Sequence, residues 1–151
     1  MGTIIFPAPS VRRAKTYNAI VFYICLACIF LFLSSAYTKI VEHERFVHGL
    51  SKVLSIGLLA PIVGWLVPLM EILIGILLII PKTQKLGLYA FTSLMIVFTF
   101  YIGGMMIWAD KLPCHCNLFI EKLSWGQHLL FNLACIILAI IAVRLSKSKN
   151  H

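Results

Sequence analysis

The segment from Lys111 to Asn117 is a short polar stretch between two long apolar runs, and it holds the residues best suited to chemistry. Within it, Cys114 and Cys116 flank His115. A Cys-x-Cys disulfide closes a small ring whose geometry departs from the relaxed one, and strained disulfides are easily reduced. Positive charge on His115 or Lys111 would favour the reactive thiolate. The pattern therefore predicts a catalytic pair, Cys114 and Cys116, supported by His115.

Two alternatives for the same residues stay open. In the first, Cys114 and Cys116 are ordinary loop cysteines, either unpaired or bridged for structural reasons. In the second, Cys114, His115 and Cys116 bind a metal, because two thiolates and an imidazole suit Cu(I) or zinc. A tripeptide rarely supplies all three ligands in good geometry, so the redox interpretation leads.

The composition indicates an integral membrane protein. Of the 151 residues, 61% are hydrophobic and 12% are charged, and the mean hydropathy is +0.98. Soluble domains are roughly 45–50% apolar and about 25% charged. Long apolar runs without period-2 alternation predict helices, because backbone groups in a bilayer must bond within the chain. We therefore predict an all-α, polytopic four-transmembrane-helix bundle.

The apolar runs divide the chain into one membrane domain with two polar tails. We predict basic cytoplasmic tails at 1–16 and 144–151 and a membrane domain over 17–143. A bilayer-spanning helix needs ~20 apolar residues, and the predicted spans are 17–38, 58–80, 86–109 and 124–143. A cleaved signal peptide is the alternative for the first run, since basic residues precede it and small residues end it.

The charged segment between helices one and two, residues 39–52, has apolar residues at helical spacing. Such a pattern predicts a short interfacial amphipathic helix, acting as a lid or a connector.

The distribution of basic residues predicts the orientation. Eight of the 13 Lys and Arg residues lie in the two tails and in the loop between helices two and three. Basic loops face the cytoplasm, so both termini are expected there. We expect a bacterial inner-membrane protein whose Cys114–Cys116 loop faces the periplasm, where disulfides persist. The net charge of +8 comes from these topology signals, so lipid is the expected partner and nucleic acid is not.

Polar residues on one face of helix four support the redox interpretation. Ser124, His128, Asn132 and Cys135 follow at intervals of about one helical turn. Polar side chains are costly in lipid, so this stripe should face the bundle interior. We predict His128 as a third catalytic residue that exchanges protons with the cysteines, and Asn132 as a supporting one. For His128, the alternative is an interior histidine whose hydrogen bonds are all made within the bundle. For Asn132, the alternative is a structural hydrogen bond between helices.

Glu71 is an acid deep within an apolar run, which is a functional-site hypothesis by default. Its predicted partners are His128 and Lys39, the latter only if its side chain reaches down from the end of helix one. A proton relay and a structural pair that locks the helices are equally open. Both Glu71 and Lys39 are therefore predicted supporting residues.

Three further cysteines, Cys25, Cys28 and Cys135, fall near the middle of the membrane. Free cysteine is common in apolar interiors, so we interpret them as packing residues. The alternative is that Cys25 and Cys28 form a second redox pair.

Several features together resemble the MauE/DoxX family of redox-associated membrane proteins. They are Ser-Ala-Tyr-Thr-Lys at 35–39 closing helix one, Pro-x-x-Glu at 68–71, and Cys-x-Cys at 114–116 before helix four. The resemblance covers roughly residues 17–143. It implies that Cys114 and Cys116 form the redox pair. It also implies that Lys39 and Glu71 occupy the family's polar positions within the helices.

The resemblance also implies a role in disulfide formation or maturation of exported proteins, or in thiol oxidation linked to quinone. Better-known disulfide-generating membrane enzymes have a second loop cysteine pair, which is missing here, so one dedicated partner is expected. Our leading hypothesis is a thiol:disulfide redox protein acting on a periplasmic or membrane partner with thiols, with quinone as the candidate cofactor. The alternatives are a noncatalytic subunit that anchors or assembles an envelope complex, and a Cu- or Zn-handling protein.

Overall fold

A computed structural model describes residues 9–51, 57–108 and 125–147, and within these ranges it contains helices and no strand. The helices are α1 (Pro9–Val41), α2 (His43–Ser51), α3 (Ala60–Ile79), α4 (Gln84–Trp108) and α5 (Trp125–Lys147), with a 3₁₀ turn at Gly57–Leu59. The four long helices are apolar enough to cross a membrane. The predicted fold class is therefore confirmed: a multi-pass membrane bundle with a short helix between its first two spans.

The long helices extend past the predicted spans. α1 begins inside the predicted basic tail, and its 33 residues make a helix of about 50 Å at 1.5 Å per residue. The hydrocarbon core is only ~30 Å thick, so this helix continues beyond the lipid. The apolar parts that could span are Thr16–Val41, Gly57–Ile79, Gln84–Gly104 and Gly126–Ser146.

A tight turn joins α3 and α4. Ile80 is extended (φ −81°, ψ 117°), as expected for a residue before proline, because the ring of Pro81 disfavours helical backbone there. Thr83 then folds back: its amide donates to the carbonyl of Ile80 at 3.1 Å, and its hydroxyl donates to the carbonyl of Leu77 at 2.9 Å. These bonds satisfy carbonyls that the helix end leaves open.

The four long helices pack in a ring in which α1 contacts α3, α3 contacts α4, α4 contacts α5, and α5 contacts α1. Helices α3 and α5 are therefore diagonal to each other. The core contains Phe32 of α1 against Phe91 of α4, with ring centroids 4.3 Å apart, and both side chains are fully buried.

The predicted amphipathic helix is present as α2, and it packs against the start of α3. Leu50 is buried, while Glu42 and Arg45 form an exposed ion pair at 3.2 Å. His43 stacks on Trp65 with ring centroids 4.3 Å apart. A Cβ at Gly64 would lie 2.5 Å from Val47 Cγ2, so the absence of a side chain there allows the two helices this close approach.

The α3–α4 hairpin gives a first testable prediction. A Cβ at Gly87 would lie 3.0 Å from the backbone nitrogen of Leu78 and 3.1 Å from the carbonyl carbon of Leu77. Backbone atoms can move away from a new methyl group less easily than side-chain atoms can. Gly87→Ala should therefore destabilise the bundle by about 1–3 kcal/mol, the usual cost of overpacking. Unfolding in mixed micelles measures this cost.

The control for Gly87→Ala is Gly103→Ala in the same helix. A Cβ at Gly103 meets nothing within 4 Å. Alanine has the higher helix propensity, by ~1 kcal/mol, so this change should be neutral or stabilising. Equal destabilisation by both variants would contradict the prediction.

Candidate functional site

A buried ion pair joins α1 to α3. Lys39 Nζ lies 2.9 Å from Glu71 Oε1, and the two side chains are 6% and 0% exposed. Ser35 Oγ donates a hydrogen bond to the same oxygen at 2.9 Å, and Lys39 Nζ donates to Ser35 Oγ. Of the two partners predicted for Glu71, the structure pairs it with Lys39.

The geometry of α1 explains how this pair forms. Ser35 and Lys39 are four residues apart, so they lie on one face of the helix. Lys39 is near the end of α1, and its amine lies 5.4 Å from the ring centroid of Phe98 and 5.7 Å from that of Phe46. Aromatic faces attract a cation at these distances. The rings thus replace part of the water that the ammonium loses on burial.

Ser35 is a site residue that sequence reasoning did not single out. The hydroxyls of Thr38, Thr92 and Thr99 each donate to the backbone carbonyl four residues earlier, the usual arrangement for hydroxyls in apolar helices. The hydroxyl of Ser35 instead donates to Glu71. The position of Ser35 one helical turn before Lys39 is the sequence feature from which this role could have been predicted.

A cavity of about 160 Å³ adjoins the ion pair, and every helix contributes to its wall. Ser35, Lys39 and Glu71 line one part. Most of the remaining wall is apolar, and its members are Leu31, Phe32, Phe46, Leu50, Val63, Val67, Met95, Val97, Phe98, Ile102 and Phe131. Tyr101, His128 and Asn132 complete it. The cavity is therefore an apolar chamber with a charged group at one side.

The polar stripe predicted on helix four does face the bundle interior. His128 and Asn132 both line the cavity, and Asn132 is buried. Lys39 lines the same cavity as His128. Because α5 is diagonal to α3, these groups approach the cavity from a different side than Glu71. Ser124, the first residue of the stripe, lies outside the described residues.

One atom of the site has no hydrogen-bond partner. Glu71 Oε1 accepts from both Lys39 and Ser35, whereas Glu71 Oε2 is buried and no described group donates to it. Buried carboxylate oxygens almost always accept a hydrogen bond from protein or water. Glu71 Oε2 is therefore a buried hydrogen-bond acceptor to which no described group donates.

The cysteines of α1 and α5 lie in or against the apolar core. Cys28 and Cys135 are each about one turn from a cavity residue, Leu31 or Asn132, and Cys25 is nearly two turns from Leu31. Cys25, Cys28 and Cys135 are all free thiols, and Cys28 is near the other two. Among the described residues, no group of three His, Cys, Asp or Glu side chains could hold a metal ion. These features agree with packing residues, and a role for Cys25 and Cys28 as a second redox pair stays a prediction.

The predicted catalytic tripeptide, Cys114, His115 and Cys116, lies outside the described residues. The two helix ends that flank it do lie near the cavity: α4 ends at Trp108 and α5 begins at Trp125. The cavity residues Ile102 and His128 are roughly 9 Å and 5 Å from these ends along the helix axes, at 1.5 Å per residue. The chain segment with the cysteines therefore leaves and re-enters the bundle close to the cavity.

Comparison with known proteins identifies the family. The family model of methylamine utilisation protein MauE matches residues 17–145, which include the ion pair, the cavity and the segment with both loop cysteines. No curated protein and no solved structure matches the chain significantly. With the match extending over all four membrane-spanning helices, the chain belongs to the MauE family.

Proposed function

We propose that this protein is a bacterial inner-membrane thiol:disulfide redox protein that oxidises or matures an exported partner. Cys114 and Cys116 are the exchanging pair, and their loop faces the periplasm with both termini in the cytoplasm. The excess of Lys and Arg in the tails and in the α3–α4 loop supports this orientation.

The observation that carries the proposal is the cavity with its buried charges. Ionisable groups inside a membrane are expensive and are kept mainly where they have a function. Lys39, Glu71 and His128 are gathered around one chamber, near the helix ends that lead to Cys114 and Cys116.

The reaction is a disulfide exchange. A thiolate of the partner attacks one sulfur of the Cys114–Cys116 disulfide, and the other sulfur leaves as a thiolate. The second partner thiol then attacks the mixed disulfide, so the partner gains a disulfide and this protein holds two thiols. Two electrons and two protons have moved from the partner to the cysteine pair.

The remaining site residues serve the protons and charges of this exchange. His128, about one turn into α5, is the group that accepts and returns a proton, and it shares the cavity with the ammonium of Lys39. His115 stabilises a neighbouring thiolate by its position between the cysteines. Asn132, one turn after His128 on α5, and Glu71, on the opposite side of the cavity, are the further polar groups of the cavity wall that support the proton transfer.

The exchange can be tested by trapping the partner. In Cys116→Ser, the Cys114 thiolate can attack the disulfide of an oxidised partner in the reverse direction, which forms a mixed disulfide and releases one partner thiol. Because no second loop thiol is present to displace Cys114, a disulfide-linked complex should accumulate in intact cells. Non-reducing gels and mass spectrometry detect it. A membrane-impermeant maleimide added to intact cells should label Cys114 in the reduced protein, since the loop is expected to face outward.

The matched control is Cys25→Ser/Cys28→Ser, which removes two buried thiols and should change neither result. If Cys114 and Cys116 remain alkylatable thiols under every oxidising condition, disulfide exchange is refuted. A partner that copurifies and matures normally with Cys114→Ser/Cys116→Ser would instead show a noncatalytic scaffold.

A further inference from the structure

We propose that the end of the bundle opposite to α2 binds the phosphate group of an anionic phospholipid. Lys82, Lys85 and Arg144 supply the positive charge, and the first two turns of α4 receive the glycerol and acyl part of the lipid. We call this surface the basic end. The inference rests on the packing of the helices and does not depend on disulfide exchange.

The basic end brings together the α3–α4 turn and the last turns of α5. Phe98 of α4 and Asn132 of α5 line the same cavity, and the two helices are neighbours. From Phe98, Lys85 is 13 residues toward the start of α4, or about 20 Å. From Asn132, Arg144 is 12 residues toward the end of α5, or about 18 Å. The two basic residues therefore lie at nearly the same depth.

Further basic residues belong to the same end of the bundle. Lys82, in the turn, and Arg144 are exposed, and Lys85 is partly exposed. Helix α1 begins at this end and has Arg12, Arg13 and Lys15 in its first two turns, and Lys147 is the last residue of α5. Positive charges from three separate parts of the chain thus meet at one membrane surface.

The chain supplies no carboxylate to balance this charge. The acids in the part of the chain that the structure describes are Glu42 and Glu44, beside and within α2, and Glu71, which belongs to the buried ion pair. The other two acids of the sequence, Asp110 and Glu121, are in the segment that joins α4 to α5. The balancing anion must therefore come from outside the chain, and basic residues beside a membrane attract anionic lipids.

The position of the α3–α4 turn favours lipid over a soluble anion. Phe91 of α4 packs against Phe32 of α1. From this layer α4 continues for seven residues to Gln84, about 10 Å, whereas the apolar span of α1 continues for 16 residues to Thr16, about 24 Å. The turn with its lysines therefore ends short of the apolar part of α1.

The surface of α1 at this depth is suited to lipid. Tyr23 and Leu26 are 68% and 51% exposed, and both belong to the apolar span. A soluble acidic segment that binds Lys82 and Lys85 has to pass beside this apolar surface. A phospholipid is already there, and its phosphate meets the lysines while its chains stay in the hydrocarbon.

The start of α4 repeats the order of groups in a phospholipid. Lys85 and Tyr89 are four residues apart and so lie on one face of the helix. Leu86 and Tyr89 are 59% and 47% exposed, and tyrosine is typical of the membrane interface. Farther along, Ile96 and Val97 are 40% and 59% exposed. Charge, phenol and apolar surface follow one another as phosphate, glycerol and acyl chain do.

Native mass spectrometry of the full-length protein, released from detergent micelles, measures this binding. The protein is mixed with equal amounts of dioleoyl phosphatidylglycerol and dioleoyl phosphatidylcholine, which have the same chains and differ in net charge. We expect phosphatidylglycerol to be retained at least ~10-fold more. Lys82→Gln/Lys85→Gln/Arg144→Gln should abolish this preference, and Lys82→Gln alone, at an exposed position in the turn, should reduce it by ~2- to 5-fold.

Two control variants separate this site from net charge. Arg45→Gln/Lys52→Gln/Lys122→Gln removes the same number of positive charges from the segments that connect the helices at the opposite end, and it should keep the preference. Lys82→Arg/Lys85→Arg keeps the charge at the basic end and should keep it as well. Equal retention of the two lipids by the unmodified protein, or equal losses in the two triple variants, would overturn the proposal.

Competition identifies the source of the anion. Glycerol phosphate, which has no acyl chains, and a soluble hexaglutamate peptide should not displace phosphatidylglycerol at equal concentration, because neither supplies the apolar part. Displacement by glycerol phosphate would show a site for free phosphate groups. Displacement by the peptide would show a docking surface for an acidic protein segment, and either result would refute a lipid site.

Discussion

Replacing Lys39 by methionine is expected to destabilise the bundle by about 3–5 kcal/mol. The variant leaves Glu71, which is fully buried, without its cation, and an uncompensated buried charge has this cost. Ser35 alone then donates to the carboxylate. Reversible unfolding of the purified protein in mixed micelles, followed by circular dichroism, measures the change.

Two further variants separate the ion pair from general packing. Lys39→Met/Glu71→Leu removes both charges, and such replacements of buried pairs are often neutral or stabilising, so stability should recover most of the loss. The matched control is Arg45→Met, which breaks the exposed Arg45–Glu42 pair and should cost less than ~1 kcal/mol. Equal losses for Lys39→Met and Arg45→Met, or no recovery in the double variant, would contradict the role given to the buried pair.

The double variant also bears on function. If Lys39 and Glu71 only lock α1 to α3, a stable Lys39→Met/Glu71→Leu protein should still exchange disulfides at the normal rate. The proposed function, in which both residues support the exchange, predicts a slower exchange instead. Stability and activity should therefore separate in this one protein.

The sequence predicts the polar residues of the interior better than the apolar ones. Glu71, Lys39, His128 and Asn132 stand out because a polar side chain in lipid must face inward, and all of them do line one cavity. A charged side chain in a membrane span is tolerated only where it faces the bundle interior or a water-filled cavity. The same rule explains why the spacing of the stripe on α5 is enough to assign it to the interior.

The apolar residues give no comparable signal. Phe22 and Phe32 are on the same helix, yet one is 59% exposed and the other is fully buried. Lipid and core are equally apolar, so hydrophobic periodicity does not distinguish the face toward lipid from the face toward neighbouring helices. The cavity itself is for this reason not predictable from the sequence, because its walls are mostly apolar.

The choice between two candidate interaction partners of one residue also requires the three-dimensional structure. Sequence reasoning leaves Glu71 with two candidate bases, and only the depth of Lys39 relative to α3 decides between them. Helix α2 contributes Phe46 and Leu50 to the cavity wall, and a single glycine, Gly64, permits its close approach to α3. Spacing within α2 predicts its amphipathic character but not what it packs against.

That glycine gives the second prediction with a large effect. A Cβ at Gly64 would lie 2.5 Å from Val47 Cγ2 and 3.2 Å from His43 Cε1. Val47 is β-branched and stiff, so Gly64→Ala should push α2 away from α3. We expect a loss of about 1–3 kcal/mol in the free energy of unfolding. Unfolding in mixed micelles measures this loss.

Val47→Ala supplies the rescue, because it removes the methyl group that obstructs the new side chain. Gly64→Ala/Val47→Ala should recover most of the stability, with a coupling energy of about 0.5–3 kcal/mol between the two positions. Gly104→Ala, where a Cβ meets nothing within 4 Å, controls for the change in helix propensity. If the double variant is no more stable than Gly64→Ala alone, the contact between Val47 and position 64 does not determine how α2 packs on α3.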